Sequence, residues 1–259
     1  MLVLLAQLLV CRALPGQTSI NYDRHPSREI YEAAFNAMQE KKFDLASISF
    51  TQAISGLDST KEIDYNMLWQ ALAFRGVCKR ELNDLWGALA DFDRAILFYP
   101  EVIQTHVRRA YVLIELGELE KAKTECLWIL SKDQTSSYAA SAHDQLGMIY
   151  FQRGDLKKSI SEFSKALKIS PRATTTLAKR AQAFSRMGAQ WEAVEDYSRI
   201  IKITPQYAVA YRDRALEKVK LAQKSNSKKI MLSACKDLDQ AMRFGDTHAA
   251  EYREQYCEN

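Results

Sequence analysis

The sequence repeats one amphipathic pattern, and this repetition limits the fold more than any other feature. The segments that end at Pro100, Pro171 and Pro205 each carry a small residue, a large apolar residue four positions later, a smaller apolar residue three positions after that, and the proline five further on. Three more copies, without the proline, begin at Ala46, Ala122 and Ala234. The chain therefore contains six copies of one structural unit.

Each copy has the periodicity of a helix with one apolar face. Leu156, Ile160, Phe163 and Leu167 are spaced i, i+4, i+7 and i+11, which places them on one stripe, whereas the lysines between them fall on the other face. Proline ends such a helix because it cannot donate the helical hydrogen bond. A single helix of this kind cannot bury its own stripe, so the copies are expected to stack on one another.

The spacing of the copies points to a known family. Ala88 and Ala122 are 34 residues apart, as are Ser159 and Ala193, and Gly117 and Gly154 precede the second half of their units. With this period and these Gly, Ala and Pro positions, the sequence resembles the tetratricopeptide repeat family, whose unit is a helix-turn-helix.

The resemblance implies an all-α, right-handed solenoid with a C-terminal capping helix. The predicted divisions are an N-terminal segment and linker, six repeats and a cap. Their ranges are 1–26 for the segment, about 27–60, 69–102, 103–136, 140–173, 174–207 and 208–244 for the repeats, and 245–259 for the cap. Tyr252 and Tyr256 fall on one face of the last segment, as a cap requires.

Charge and composition argue against several classes of function. The 36 Lys and Arg residues exceed the 32 Asp and Glu residues by only four, too few to indicate a nucleic-acid or anionic-membrane partner. Helical repeats that bind RNA are usually more basic than this. The nine glycines form no phosphate-binding loop, and no nucleophile, Walker or zinc motif occurs. We expect a protein without catalytic activity, metal or cofactor.

Acidic residues recur at one position of the repeat. Asp91, Glu162 and Asp196 each stand three residues before an arginine or lysine. This spacing predicts surface ion pairs within one helix, each stabilising by about 0.2–0.5 kcal/mol.

The five cysteines are far apart in sequence and include no CxxC pair. We interpret them as reduced thiols, with Cys78 and Cys126 in the core, over the alternative of a disulfide framework. This interpretation goes with a cytoplasmic protein.

The first sixteen residues leave the compartment open. An apolar run from Leu2 to Val10 is followed by small residues and Pro15-Gly16, which resembles a secretory signal, but no Lys or Arg precedes the run. It is too short to span a bilayer. Either it is a cleaved signal, which implies secretion or an endomembrane lumen, or it packs on the first repeat.

Tetratricopeptide arrays bind ligands on a concave surface lined by the first helix of each unit, and the resemblance implies the same here. The groove is expected to hold a protein or peptide, and the protein could be one part of a larger complex. The groove should be aromatic towards the N-terminus and basic towards the C-terminus. We predict its ligand-binding residues to be Tyr31, Phe35, Phe74, Val77, Arg108, Tyr111, Met148, Lys179 and Arg212, and we expect Met38, Ile114, Phe151, Arg186 and Lys220 to face the same groove.

A more specific function within the family is the docking of Hsp70 or Hsp90 C-termini. Members that do this hold the terminal carboxylates with Lys and Asn in the first unit, Asn in the second, and Lys and Arg in the third. The corresponding positions here are Tyr31, Phe35, Phe74, Gln104 and Arg108, so only the last one agrees. An apolar side chain cannot replace a charge-assisted hydrogen bond to a carboxylate.

Overall fold

The computed structural model describes residues 27–58 and 61–257, and these are α-helices joined by short turns, without a strand in either range. The predicted all-α fold class is confirmed. Residues 1–26, with the apolar run and Cys11, lie outside the described ranges. Among the described helices, none combines the length and the apolar character needed to cross a bilayer.

Thirteen helices make up the described part of the chain, and we number them in order. The odd-numbered helices up to α11 are the first helices of successive pairs, the even-numbered ones are the second helices, and α13 is the cap. Their bounds are α1 Ser27–Gln39, α2 Phe43–Ser55, α3 Glu62–Glu81, α4 Leu85–Phe98, α5 Ile103–Glu115, α6 Leu119–Lys132, α7 Ser137–Gln152, α8 Leu156–Ile169, α9 Thr174–Met187, α10 Gln190–Ile203, α11 Ala208–Ser225, α12 Lys228–Arg243 and α13 Ala249–Cys257.

The helices form two compact units, which meet in sequence between Thr105 and His106, within α5. Unit 1 contains α1 to α4 and the start of α5. Unit 2 contains the rest of α5 and all later helices.

The turn residues behave as their sequence positions indicate. Gly117, Gly154 and Gly188 have φ of +77°, +78° and +83°, a conformation that side chains with a Cβ rarely adopt. The three second helices that precede a proline end two residues before it, at Phe98, Ile169 and Ile203. Within the described residues, the pairs α7–α8 and α9–α10 have both a glycine turn inside them and a proline after them, whereas Asn83 and Asn226 take the left-handed conformation in the turns of two other pairs.

Small residues let the two helices of a pair approach closely. Ala88, Ala193 and Ala234 are fully buried. A Cβ placed on Gly147 of α7 would come within 2.5 Å of the Phe163 ring of α8, so no side chain fits there. The glycine, the alanines and the buried aromatic ring together set the distance between the helices.

A buried ion pair joins first and second helices in unit 1. The Arg75 guanidinium of α3 donates two hydrogen bonds to the Asp91 carboxylate of α4, at 2.8 and 2.6 Å, and a third to the Thr51 hydroxyl of α2, at 3.1 Å. Lys79 adds a second cation 2.9 Å from Asp91. We call this arrangement of an arginine, an aspartate and a hydroxyl from three successive helices an arginine clasp.

Unit 2 contains two more arginine clasps with the same geometry. In each, the guanidinium donates two hydrogen bonds of 2.6 to 2.8 Å to the carboxylate and one of 2.9 or 3.1 Å to the hydroxyl of the preceding second helix. Their members are Arg180 with Asp196 and Ser164, and Arg214 with Asp237 and Ser198.

Although the predicted partner Arg199 does lie 3.6 Å from Asp196, the prediction of surface ion pairs was wrong in placing Asp91 and Asp196 at the surface. Their side chains are only 3% and 1% exposed, and their main partners lie on another helix. The prediction was right for Glu162, which pairs with Lys165 at 2.6 Å. Sequence spacing shows only neighbours on the same helix, so the arginine sixteen residues upstream was missed.

Histidine replaces arginine as the main partner where the acid is glutamate. His106 Nδ1 lies 2.9 Å from Glu125, and His143 Nδ1 lies 2.7 Å from Glu162. Arg109 also approaches Glu125, at 3.4 Å. Burial opposes ionisation of Glu162, but its hydrogen bonds from His143 and Lys165 outweigh this and lower its pKa. Glu162 is therefore held charged by His143 of its first helix together with Lys165 of its own helix.

The C-terminal helix α13 caps the last pair, as predicted. Tyr252 and Tyr256 pack against the buried cluster formed by α11 and α12. The interpretation of all cysteines as reduced was wrong here, because Cys257 of α13 forms a disulfide with Cys235 of α12. The bond closes a loop of 22 residues and fixes the cap to the helix that it covers.

Cys78 and Cys126 are free and buried, as predicted. Burial raises the pKa of Cys78 to about 11 and that of Cys126 to about 12. Both are protonated thiols at neutral pH and act as small apolar groups in the core.

Replacement of Asp196 by Asn tests the arginine clasp. The change removes the charge that balances the buried Arg180, so we expect the free energy of unfolding to fall by about 3 kcal/mol in urea denaturation. The control is Glu195→Gln, which removes the same charge from an exposed neighbour and should cost less than about 0.5 kcal/mol. Equal, small losses in both variants would show that the clasp does not hold the pair together.

Candidate protein-binding surface

In unit 1, the predicted ligand-binding residues form an aromatic cluster. Phe74 of α3 contacts Phe35 and Tyr31 of α1, with ring centroids 5.2 and 6.4 Å apart, and it stacks on the buried Phe50 at 6.0 Å. The Tyr31 hydroxyl donates a 2.9 Å hydrogen bond to Gln70. The rings thus lie together, as a binding surface requires, but they also support the core of the first pair.

The side chains of this aromatic cluster are only partly exposed. Tyr31, Phe35, Phe74 and Val77 are all half-buried. Three of them pack directly on the apolar cluster of α1 to α3, which leaves only part of each ring open to a ligand. A substitution in this cluster therefore perturbs the packing of the first pair as well as the surface that the rings present.

In unit 2, a cavity of about 270 Å³ opens between the first helices α7 and α9. The ring of Phe163 from α8, itself only 1% exposed, forms its base. Met148, Phe151 and Gln152 line it from α7, and Lys179 and Gln182 line it from α9. Two of the predicted residues, Met148 and Lys179, thus contribute to one cavity.

Lys179 is neutralised by a carboxylate on the neighbouring first helix. Its ammonium donates to Asp144 at 2.6 Å, and Thr176 and Tyr111 donate to the same carboxylate at 2.8 and 3.3 Å. Burial would lower the pKa of Lys179, but the charge of Asp144 raises it. Lys179 and Tyr111 are thus brought together as predicted, but Lys179 already has an acidic partner.

Arg212 is also paired within the chain. It donates to Asp213 and to Asp246, each at 2.9 Å. Burial raises the pKa of Asp213, and the nearby carboxylates of Asp246 and Glu217 act in the same direction against Arg212. Carboxylates outnumber cations around Arg212, so the C-terminal part of this surface is not the basic region that the sequence predicted.

Arg186 is the cation beside the cavity whose donors face no acid. Its guanidinium lies 4.5 Å from the ring centre of Phe151 and approaches the Phe151 main-chain oxygen at 3.5 Å. Within residues 27–58 and 61–257, no carboxylate lies within ion-pair distance of it, and the side chain is exposed. Arg108, the remaining predicted residue, is half-buried on α5.

Sequence reasoning missed Asp144, Gln152 and Gln182. The positions of the two amides could have been derived from the repeat, since they lie on the exposed side of first helices. Asp144 had no such signal, because its partners lie 32 to 35 residues away on either side. In the part of the chain that is described, no group of three or more His, Cys, Asp or Glu side chains is placed to hold a metal ion.

Comparisons with known proteins agree with this architecture. The family model described as "Tetratricopeptide repeat" matches residues 140–173, which include most of α7 and all of α8. The chain is 24% identical to Hsp70-Hsp90 organizing protein 2 of Arabidopsis thaliana over 151 residues, which is 57% of this chain and 25% of that protein. It thus spans about a quarter of the length of this relative.

Two solved structures share the fold. PilF of Pseudomonas aeruginosa superposes with a TM-score of 0.67 at 15% identity, covering 91% of this chain and 100% of the other. YrrB, described as a TPR protein with an unusual peptide-binding site, superposes with a TM-score of 0.53 at 18% identity, covering 79% of this chain and 97% of the other. At these identities the likeness shows the fold alone.

The Lys179–Asp144 pair can be tested by a double-mutant cycle. Lys179→Met leaves a buried carboxylate without its cation, and we expect a loss of about 2 kcal/mol in unfolding free energy. Adding Asp144→Asn should recover about half of that loss, whereas simply additive losses would contradict the pairing. Because the folded pKa of Lys179 is raised above its ordinary 10.5, its contribution is full below that pH and is lost as pH rises through the folded pKa.

Proposed function

We propose that this chain, which is a tetratricopeptide-repeat protein, is a non-enzymatic adaptor that binds an extended segment of a partner protein on the first helices of unit 2. One observation carries the proposal. The cavity between α7 and α9 has apolar side chains and a ring at its base, with amides and a lysine around it. Such a mixture suits a peptide, whose side chains seek apolar contacts while its backbone needs hydrogen bonds.

Neighbouring first helices extend this surface on both sides of the cavity. Tyr111 of α5 reaches the network around Asp144, and Ser185 of α9 donates to Glu217 of α11 at 2.7 Å. Arg108, Lys179 and Arg212 remain part of the proposed surface. Because Lys179 and Arg212 are already ion-paired, we expect them to position the peptide and not to select its acidic residues. The peptide-binding site named for YrrB supports this use of the fold.

The aromatic cluster of Tyr31, Phe35, Phe74 and Val77 is a second proposed contact region, in unit 1. Half-exposed aromatic rings contribute strongly to protein interfaces, because they bury a large area and lose little conformational freedom. The cluster offers no cation of its own to a ligand, so an apolar partner surface fits it best.

Docking of chaperone C-termini is the alternative, and the name of the Arabidopsis relative is what favours it. In this chain, four of the five clamp positions are Tyr31, Phe35, Phe74 and Gln104. The first three belong to the aromatic cluster, where they pack on one another and on the core. A terminal carboxylate placed there would lose its hydration without gaining a cation, so we favour the adaptor function.

The disulfide bears on the compartment. Bonds such as Cys235–Cys257 persist in oxidising compartments and are rare in the cytosol. We therefore place the protein in an oxidising compartment, the alternative that the apolar N-terminal run also suggests, in preference to the cytoplasm.

The adaptor proposal predicts that partners depend on the cavity. In affinity capture followed by mass spectrometry, Met148→Glu combined with Phe151→Glu should lose partners that the wild-type chain retains, because two charges would occupy the apolar wall. Circular dichroism and thermal unfolding check that the variant is folded.

The matched control is Trp191→Glu combined with Leu97→Glu, which puts the same two charges on second-helix side chains that are 60% and 81% exposed. It should keep the wild-type partners. Loss of the same partners from both variants, or from neither, would contradict binding at the cavity.

The compartment proposal predicts the state of the thiols in cells. If excess N-ethylmaleimide is added before lysis, peptide mapping should recover Cys235 linked to Cys257, with Cys78 and Cys126 as free thiols that react only after denaturation. Recovery of Cys235 and Cys257 both alkylated, without prior reduction, would place the protein in a reducing compartment.

A further inference from the structure

We infer that the cavity between α7 and α9 selects a peptide segment in which an aliphatic side chain stands next to an acidic one. This inference rests on the proposed function and names the chemistry of its ligand. The cavity would take the aliphatic side chain, and Arg186 would bind the carboxylate beside it.

The size and lining of the cavity indicate the aliphatic group. At about 270 Å³ it is below the usual range of about 300–1,000 Å³ for sites that enclose a whole small molecule, and it suits a side chain entering from outside. Met148, Phe151 and the base ring of Phe163 offer no strong hydrogen-bonding group. A polar side chain would therefore lose its hydration there, whereas leucine or methionine would gain by burial. Methionine in the wall adapts its shape to either one.

The charges around the cavity indicate the acidic group. Lys179, inside the cavity, is already bound to Asp144 at 2.6 Å. Arg186 lies over the Phe151 ring, 4.5 Å from its centre, and its exposed guanidinium keeps donors for a carboxylate. Charge-assisted hydrogen bonds of this type are about twice as strong as neutral ones. Because Phe151 both lines the cavity and carries Arg186, the two subsites are adjacent.

The amides supply what the peptide backbone needs. Gln152 and Gln182 line the cavity from opposite first helices, and both are exposed. Each amide can donate and accept, as the N–H and C=O groups of an extended backbone require. They add affinity without preference for sequence, so selectivity depends on the apolar cavity and on Arg186.

Four decapeptide pools test the inference. All positions are random except a central pair, in either order, which is Leu with Glu, Leu with Gln, Ala with Glu, or Ala with Gln. Each pool is passed over the immobilised full chain, and the bound peptide is quantified by mass spectrometry. We expect the Leu/Glu pool to be retained about tenfold more than the Leu/Gln and Ala/Glu pools, since each subsite contributes roughly one such factor.

Two single variants separate the subsites. Arg186→Gln should abolish the preference for Glu over Gln and keep the preference for Leu over Ala, and its exposed position leaves folding intact. Met148→Ala should weaken the preference for Leu and keep that for Glu. The control is Arg243→Gln, the same change at an exposed arginine in the last turn of α12, which should keep both preferences.

The outcomes distinguish this inference from the proposed function. Equal retention of the four pools by the wild-type chain, or an unchanged Glu preference in Arg186→Gln, overturns the inference. If the cavity variant Met148→Glu/Phe151→Glu still loses partners in cells, the adaptor function survives that result and only the ligand chemistry is wrong. If the cavity variant also keeps every partner, both proposals fail.

Discussion

The arginine clasp is the interaction on which the rest of the structure depends. One guanidinium binds the aspartate of its own second helix and the hydroxyl of the second helix before it, so a single side chain fixes both the pair and the stacking of pairs. Arg180, with Asp196 and Ser164, shows this in unit 2. Removing one member of a buried ion pair destabilises the fold by more than the intact pair stabilises it, because the remaining charge stays buried without a partner. The clasp therefore specifies the geometry of the stack as well as stabilising it.

This arrangement also determines which charges remain for a ligand. The cations at the clasp position face inwards to the second helices. On the first-helix surface, Lys179 is paired with Asp144 of the neighbouring first helix, and Arg212 is paired with Asp213 and Asp246. Where the sequence predicted a basic region, Lys179 and Arg212 thus already have acidic partners. We propose that against this background Arg186, placed over the Phe151 ring, gives the apolar cavity a preference for acidic neighbours.

Much of the fold could be predicted from the sequence, because short, local residue patterns determine it. The alanines, the glycine turns and the prolines repeat at fixed spacing, and each has a backbone or packing reason that needs no knowledge of the partner helix. The ion pairs were predicted incorrectly for the opposite reason. Asp196 has Arg199 three residues away, but its main partner Arg180 lies sixteen residues upstream, and only the packing of two helices brings them together. Burial then changes a weak surface pair into a strong one.

The sequence indicated which helices form the candidate surface, but it did not indicate how the charges on that surface are paired. Tyr111, Met148 and Lys179 lie on first helices that share one surface, as the register indicated. Asp144 could not be recognised from the sequence, and its presence alters what Lys179 can do. Likewise, the sequence spacing of Cys235 and Cys257 gave no sign that they are bonded. The disulfide forms because α13 folds back on α12.

The most direct test of the account is hydrogen–deuterium exchange of the full chain with and without a Leu/Glu decapeptide recovered from the pools. The account predicts slower exchange in α7 and α9, where the peptide would cover the first helices, with the second helices α8 and α10 unchanged on their exposed faces. Slower exchange confined to the second helices or to the cap α13 would contradict it.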